Sequence, residues 1–131
     1  MRGSCLCGAV VYEADAVEHI RFCHCRTCQR AQGAPYIAAG VVKREHFRWL
    51  QGEDKLSAYE SSPGKWRRFC SVCGTPFLSD RSTQPHVALR ITTLHEDPGV
   101  RPAYHFWTDD DCPWTADTPD LPRHTEWPPE C

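Results

Sequence analysis

Seven of the nine cysteines in this 131-residue chain lie in three tight groups: Cys5-Leu6-Cys7, Cys23-His24-Cys25-Arg26-Thr27-Cys28, and Cys70-Ser71-Val72-Cys73 followed by Gly74. Each group closes a small chelate ring around one metal ion at little cost in chain entropy. The two-three-two division sets the expectation. A closed structural zinc site takes four thiolates, and the pairs Cys5/Cys7 and Cys70/Cys73 supply them together. The triplet Cys23, Cys25 and Cys28 then keeps three thiolates and an open fourth position, the arrangement of a metal that does chemistry. Zinc is the expected cofactor, one ion in each set and so two per chain.

The same residues bear on other uses of thiols. A disulfide framework favours an even cysteine count in a secreted chain, and here the count is nine. Met1-Arg2-Gly3-Ser4 runs straight into the first group with no apolar signal core, so a reducing, cytoplasmic setting is expected. Four thiolates also hold rubredoxin-type iron or an iron–sulfur cluster, which keeps iron as the competing metal. Three thiolates on a divalent cation leave a negative charge. Arg26 and Arg30 beside the triplet, and Lys65, Arg67 and Arg68 beside the last pair, either offset it or are simply solvated. The formal net charge of -2 offers no basic footprint for nucleic acid, and no apolar run approaches a membrane span.

The elements that must position these cysteines are short and mostly strands. Ala9–Glu13, Tyr36–Val42, Phe47–Leu50, Lys55–Tyr59, Trp66–Phe69 and the alternating run His86–Thr93 read as strands, separated by turns at Gly52-Glu53-Asp54 and Ser61-Ser62-Pro63-Gly64. One short helix is expected from about Cys25 to Gln32, with Gly33 ending it. Gly74 after the Cys70–Cys73 turn is suited to a positive φ that aims amide N–H groups at the sulfurs. From Pro98 onward the chain is rich in proline, aspartate and tryptophan. Tyr104, Phe106, Trp107 and Trp114 carry too much apolar surface to leave in water, so this segment is expected to wrap the body as an extended arm. Neither a repeat nor a second domain is visible, and residues 1–131 read as one domain.

Gly3-Ser4-Cys5-Leu6-Cys7-Gly8-Ala9-Val10, Cys23-His24-Cys25-Arg26-Thr27-Cys28-Gln29-Arg30 and Arg68-Phe69-Cys70-Ser71-Val72-Cys73-Gly74-Thr75-Pro76-Phe77 together resemble the glutathione-dependent formaldehyde-activating enzyme family, also called GFA/CENP-V. Thr93-Leu94-His95-Glu96-Asp97-Pro98, His105, Pro113-Trp114 and Leu121-Pro122 extend the likeness over essentially the whole chain. The resemblance implies a mainly β, Mss4-like fold of several small coiled antiparallel sheets held by zinc, with one short helix. It implies a structural zinc on Cys5, Cys7, Cys70 and Cys73 and a second zinc on Cys23, Cys25 and Cys28. It further implies a carbon–sulfur lyase whose partners are a small thiol such as glutathione and formaldehyde or a related aldehyde. Any substrate-binding extension ahead of the first motif is expected to be absent.

Three thiolates donate much charge to a metal, which suits it to holding an incoming thiolate or polarising a carbonyl oxygen better than to acidifying water. A fourth protein ligand would close the second site instead and make it structural; His24, His105 and Cys112 are the candidates. His24 otherwise reads as a packing group between two ligands, and His105 as a buried histidine of the aromatic segment. Cys112 and Cys131 lack sequence partners and read as incidental thiols. Tyr36, Trp49 and Trp66 read as core. No general base stands out. The alternative to an enzyme is a non-catalytic, zinc-stabilised protein-interaction module.

Overall fold

The computed structural model describes residues 1–115 and 118–129; Cys131 lies outside them. Ten strands and one helix follow in the order β1 (Arg2–Ser4), β2 (Val11–Ala14), β3 (His19–Cys23), α1 (Arg26–Gln32), β4 (Ile37–Lys43), β5 (Phe47–Gln51), β6 (Leu56–Ser62), β7 (Lys65–Cys70), β8 (Pro76–Arg81), β9 (His86–Arg90) and β10 (Pro102–Phe106). They form a three-stranded sheet, β1-β2-β5, and a seven-stranded sheet, β10-β3-β4-β9-β8-β7-β6. Every pairing is antiparallel except that of β10 with β3. The expected mainly β fold with a single helix is present.

Strand character follows burial. In β2, Tyr12 and Ala14 point inward while Val11 and Glu13 are half-buried, the period-two pattern of a strand covered on one face. The central strand β4 is buried at nearly every position because both of its faces are covered, and its small Ala39 and Gly40 admit close neighbours. The main core lies between the sheets, where Tyr12 packs with Val10, Val42, Phe77, Leu78, Val87 and Leu89. Phe47, Trp49 and Phe77 surround the Tyr12 ring at centroid distances of 5.3, 6.2 and 5.7 Å. A smaller core, Cys23, Cys28, Ile37 and Ala39, lies on the other face of the large sheet, by the helix.

Two expectations are corrected. The run His86–Thr93 is a strand only to Arg90, after which Ile91–Thr93 turn as a 3-10 segment. That turn brings the Thr93 hydroxyl back to the Arg90 carbonyl at 2.7 Å and leads Leu94 to bridge Gly3. The arm after Pro98 does reach the body, as β10, and Phe106 packs against the smaller core. Trp107 and Trp114, however, remain 63% and 68% exposed, so their apolar surface is not what docks it. Trp49 is core as expected, whereas Trp66 and Tyr36 are each 39% exposed.

Candidate metal centres

The first set is assembled by two similar turns from distant parts of the chain. After Cys5-Leu6-Cys7, Gly8 (φ 78°) donates to the Cys5 carbonyl at 3.1 Å; after Cys70–Cys73, Gly74 (φ 78°) donates to the Cys70 carbonyl at 2.8 Å. Positive φ closes each turn without a Cβ clash. Leu6 N–H donates to the Thr75 hydroxyl at 3.1 Å, stitching the turns together. The four sulfurs lie within 4.8 Å of one another, with Cys5 to Cys7 at 3.6 Å and Cys7 to Cys70 at 3.9 Å. A tetrahedral ion with metal–sulfur bonds of about 2.3 Å separates its sulfurs by about 3.8 Å, so this donor set fits one zinc.

Electrostatics within this set is local. The Thr75 hydroxyl, 3.2 Å from Cys73 Sγ, leads the contacts that pull the Cys73 thiol down to about 5, and the amides of Thr75 and Cys7 add to it. Val10 N–H points at Cys5 Sγ from 3.3 Å. The Ala9 amide favours the Cys7 thiolate, yet burial and the neighbouring thiols Cys5, Cys73 and Cys70 push Cys7 up to about 11. The N–H groups sent toward the sulfurs by these turns are those expected of a thiolate site.

The second set sits where β3 ends and α1 begins. Cys25 is the helix N-cap, its sulfur accepting from Cys28 N–H at 3.4 Å, and Gly33 ends the helix in the left-handed region at φ 62°. The helix thus spans Arg26–Gln32, as the sequence indicated. Cys23, Cys25 and Cys28 place their sulfurs within 4.8 Å of one another, and among the described residues no further histidine, cysteine, aspartate or glutamate joins them. Three thiolates at zinc distances with one position left fit the metal as well.

The charges around this triplet come from far away in sequence. Arg67, expected to serve the last pair, instead brings Nη2 to 3.8 Å from Cys28 Sγ. The Cys23 thiol, then Cys25 and the Arg67 guanidinium, pull Cys28 down to about 5 against its burial, while Cys23 itself is pushed up. Lys65 and Arg90 also face the sulfurs, and burial pulls both below their usual ranges, Arg90 to about 10. Arg68 pairs with Asp80 at 2.7 Å, and Arg26 and Arg30 are exposed.

The three candidate fourth ligands stand apart. His24 has both ring nitrogens engaged, Nδ1 with Asp111 Oδ1 at 2.7 Å and Nε2 with His105 Nδ1 at 2.7 Å. A carboxylate only accepts, so Nδ1 of neutral His24 carries the proton, its Nε2 accepts, and His105 donates from Nδ1. His105 is exposed rather than buried. Cys112 is half-buried and joins neither set. Gln29 on the helix donates to the carbonyls of His24 at 2.6 Å and Asp110 at 2.7 Å, which ties the arm to the triplet. Asp111 carried no sequence signal, because nothing local marks a carboxylate 87 positions from its histidine partner.

Comparison with known proteins gives the family. A family model for the glutathione-dependent formaldehyde-activating enzyme matches residues 1–110. A Fusarium vanettenii protein named "Putative glutathione-dependent formaldehyde-activating enzyme" is 28% identical over 96 residues, 71% of this chain and 51% of the relative. A Colletotrichum graminicola protein of the same name is 28% identical over 79 residues, 60% of this chain and 41% of the relative. The chain therefore spans about half or less of the length of these curated relatives. A crystal structure of a Rhodobacter sphaeroides protein superposes with a TM-score of 0.64 at 25% identity, covering 79% of this chain and all of the other. With a family model spanning all three cysteine groups, the chain belongs to the glutathione-dependent formaldehyde-activating enzyme family.

Proposed function

We propose that this chain is a zinc-dependent carbon–sulfur lyase acting on adducts of a small thiol, glutathione or a similar one, with formaldehyde or a related aldehyde. The observation that carries the reading is the three-sulfur set to which no fourth described histidine, cysteine, aspartate or glutamate contributes. In this reading residues 1–131 act as one domain, Cys5, Cys7, Cys70 and Cys73 hold a structural zinc, and Cys23, Cys25 and Cys28 hold the second. A zinc ion held by three thiolates supplies a site that deprotonates and orients an incoming thiol at neutral pH.

The chain's own groups do the rest. Arg67 and Lys65 face the triplet and favour negative charge there. In the condensing direction the thiol sulfur forms a bond to the aldehyde carbon, the carbonyl π pair moves to oxygen, and that oxygen takes a proton. The proton that the thiol gives up is the one the oxygen takes, so the step balances without a further acid or base. Family membership, together with relatives named for glutathione-dependent formaldehyde activation, supports the choice of substrates. A reducing cytoplasm suits the free thiols.

Zinc-edge spectroscopy with and without glutathione tests the reading. A thiol sulfur entering the second metal's shell, together with turnover of the glutathione–formaldehyde adduct, is expected. An unchanged shell with no turnover overturns it. The exposed Trp107 and Trp114 favour the second reading, a zinc-stabilised protein-interaction module, and a closed shell on both metals would support that instead.

A further inference from the structure

The sheet face that carries the triplet is basic. Strand alternation and register put Arg21 of β3, Arg90 of β9, Arg81 of β8, and Lys65 and Arg67 of β7 on that one face. None of the five pairs with a carboxylate among the described residues, whereas Arg44, Arg48, Arg68 and Arg101 elsewhere all do.

Two of the five are buried, Arg67 at 8% and Arg90 at 3% exposure. Arg67 donates Nε to Ser61 Oγ at 2.9 Å and rests Nη2 near Cys28, but its buried Nη1 has no partner. Arg90 donates Nε to Gln32 Oε1 at 3.2 Å and Nη1 to the Ala88 carbonyl at 2.9 Å, and no carboxylate among the described residues pairs with it. Buried charged N–H groups are ordinarily matched, so Arg67 Nη1 marks a place for an acceptor beyond the thiolates.

A cavity of about 280 Å³ lies against both guanidinium groups, with Gln32, Phe69, Gly74 and Pro76 in its wall. Arg67, which reaches Cys28, and Gly74, which follows Cys73, both line it. Formal charge states what is missing. A divalent ion with three thiolates would carry -1 against +5 from the five unpaired cations of this face, which leaves +4. One incoming thiolate leaves that excess positive, and a carboxylate on the same molecule would lower it further.

We propose that Arg67 and Arg90 form a subsite that anchors a carboxylate of the thiol substrate, so that this chain selects anionic thiols over neutral ones. The inference rests on the thiol-binding reading of the triplet. Bidentate recognition by a guanidinium suits a planar carboxylate, and the buried setting strengthens it.

The test is a calorimetric titration of the zinc-loaded protein with 3-mercaptopropionate and with 3-mercaptopropionamide, which share a skeleton and differ in the carboxylate. The acid is expected to bind about tenfold or more tightly, one charge-assisted pair's worth. In Arg90→Gln, checked for zinc content and circular dichroism, that preference is expected to shrink to within about twofold, the acid losing more affinity than the amide. Arg67→Lys, which keeps the charge and loses the fork, is expected to retain part of the preference. Equal binding of the two thiols by the unmodified protein overturns the subsite and leaves thiol binding standing, whether or not any variant folds. If neither thiol binds, the thiol reading fails, and S-methylglutathione then decides the subsite. Its binding, weakened in Arg90→Gln, upholds the anion site, and absent or unaltered binding overturns it.

Discussion

The two cysteine sets are built on opposite plans. In the first, the ligands are distant and the stabilising groups are local: Cys7 and Cys70 meet across 63 positions, while the amide of Val10 and the Thr75 hydroxyl serve the sulfurs from neighbouring positions. In the second, the ligands all fall between Cys23 and Cys28, while the charges facing them come from Lys65, Arg67 and Arg90 on other strands. A metal in the first set joins the β1–β2 turn to the β7–β8 hairpin and so closes a long loop. One in the second set closes only a short loop and lies on a face already made by the sheet. In the proposed roles a metal in the first set would hold the fold together, and one in the second would be held by it.

The largest effect should come from breaking the first set. Metal affinity at a closed thiolate site is folding free energy, about 10 kcal/mol or more in small zinc domains, comparable with the whole stability of a domain. Cys73→Ser is expected to unfold the chain or lower its melting temperature by tens of degrees, with zinc lost from that site. Cys28→Ser is expected to lose the other ion and thiol binding while much of the fold persists, because no distant segments separate. Thermal melts with zinc counts on both variants decide the matter, and equal unfolding by both would end the distinction drawn between the sets.

Stepwise metal removal sharpens the same contrast without mutation. A chelator titration followed by zinc release and circular dichroism should show two stages. The ion of the open triplet leaves first with little spectral change, and the clamp ion leaves with the cooperative loss of strand signal. Loss of strand signal in step with the first equivalent of zinc would reverse the assignment of roles.

How much of this was legible in the sequence depends on how far apart the interacting groups are. The division of cysteines, the helix ending at Gly33 and six of the strands rest on local spacing and alternation, and the structure contains them. β1 is three residues long and β10 reads as a proline-bounded tail, so neither carries enough pattern to be recognised. Arg67 was assigned to the wrong sulfurs because it is three positions from Cys70. Along a strand an odd separation sends two side chains to opposite faces, and Arg67 therefore meets Cys28 beneath the helix. The cavity against Arg67 and Arg90 exists only once β7 and β9 share a sheet with β8 between them.

A smaller effect is expected on the strand that leads into the clamp. Gly3 pairs with Tyr12, and a Cβ there would run into the Tyr12 ring and the Thr93 carbonyl. Tyr12 is fully buried and the carbonyl is main chain, so neither yields freely. Gly3→Ala is expected to cost about 1–3 kcal/mol by overpacking, read from denaturant melts, with both zinc ions retained. A neutral result would mean that β1 can shift without disturbing the clamp.

The smallest effect is a pH-dependent one beneath the same strand. Tyr12 donates its hydroxyl to Thr93 Oγ1 at 2.7 Å, and Thr93 in turn donates to the Arg90 carbonyl. Burial pushes the Tyr12 phenol up to about 12 from an ordinary value of 10.0, the Thr93 contact opposing it. A raised folded-state value means that the folded chain holds this proton more tightly than the unfolded chain does. The contribution is thus fully present below pH 10 and is lost as the pH climbs through 12. Tyr12→Phe removes the hydrogen bond but also the ionisable group. It should cost about 1 kcal/mol near pH 8, where only the bond matters. Between pH 10 and 12 the unmodified protein loses about 2 kcal/mol that the variant keeps, so the order of stabilities should invert. Urea melts of the two proteins at pH 8, 10 and 11.5 measure the difference directly, and parallel curves with no narrowing of the gap above pH 10 would show that the Tyr12 phenol is not held neutral by the core.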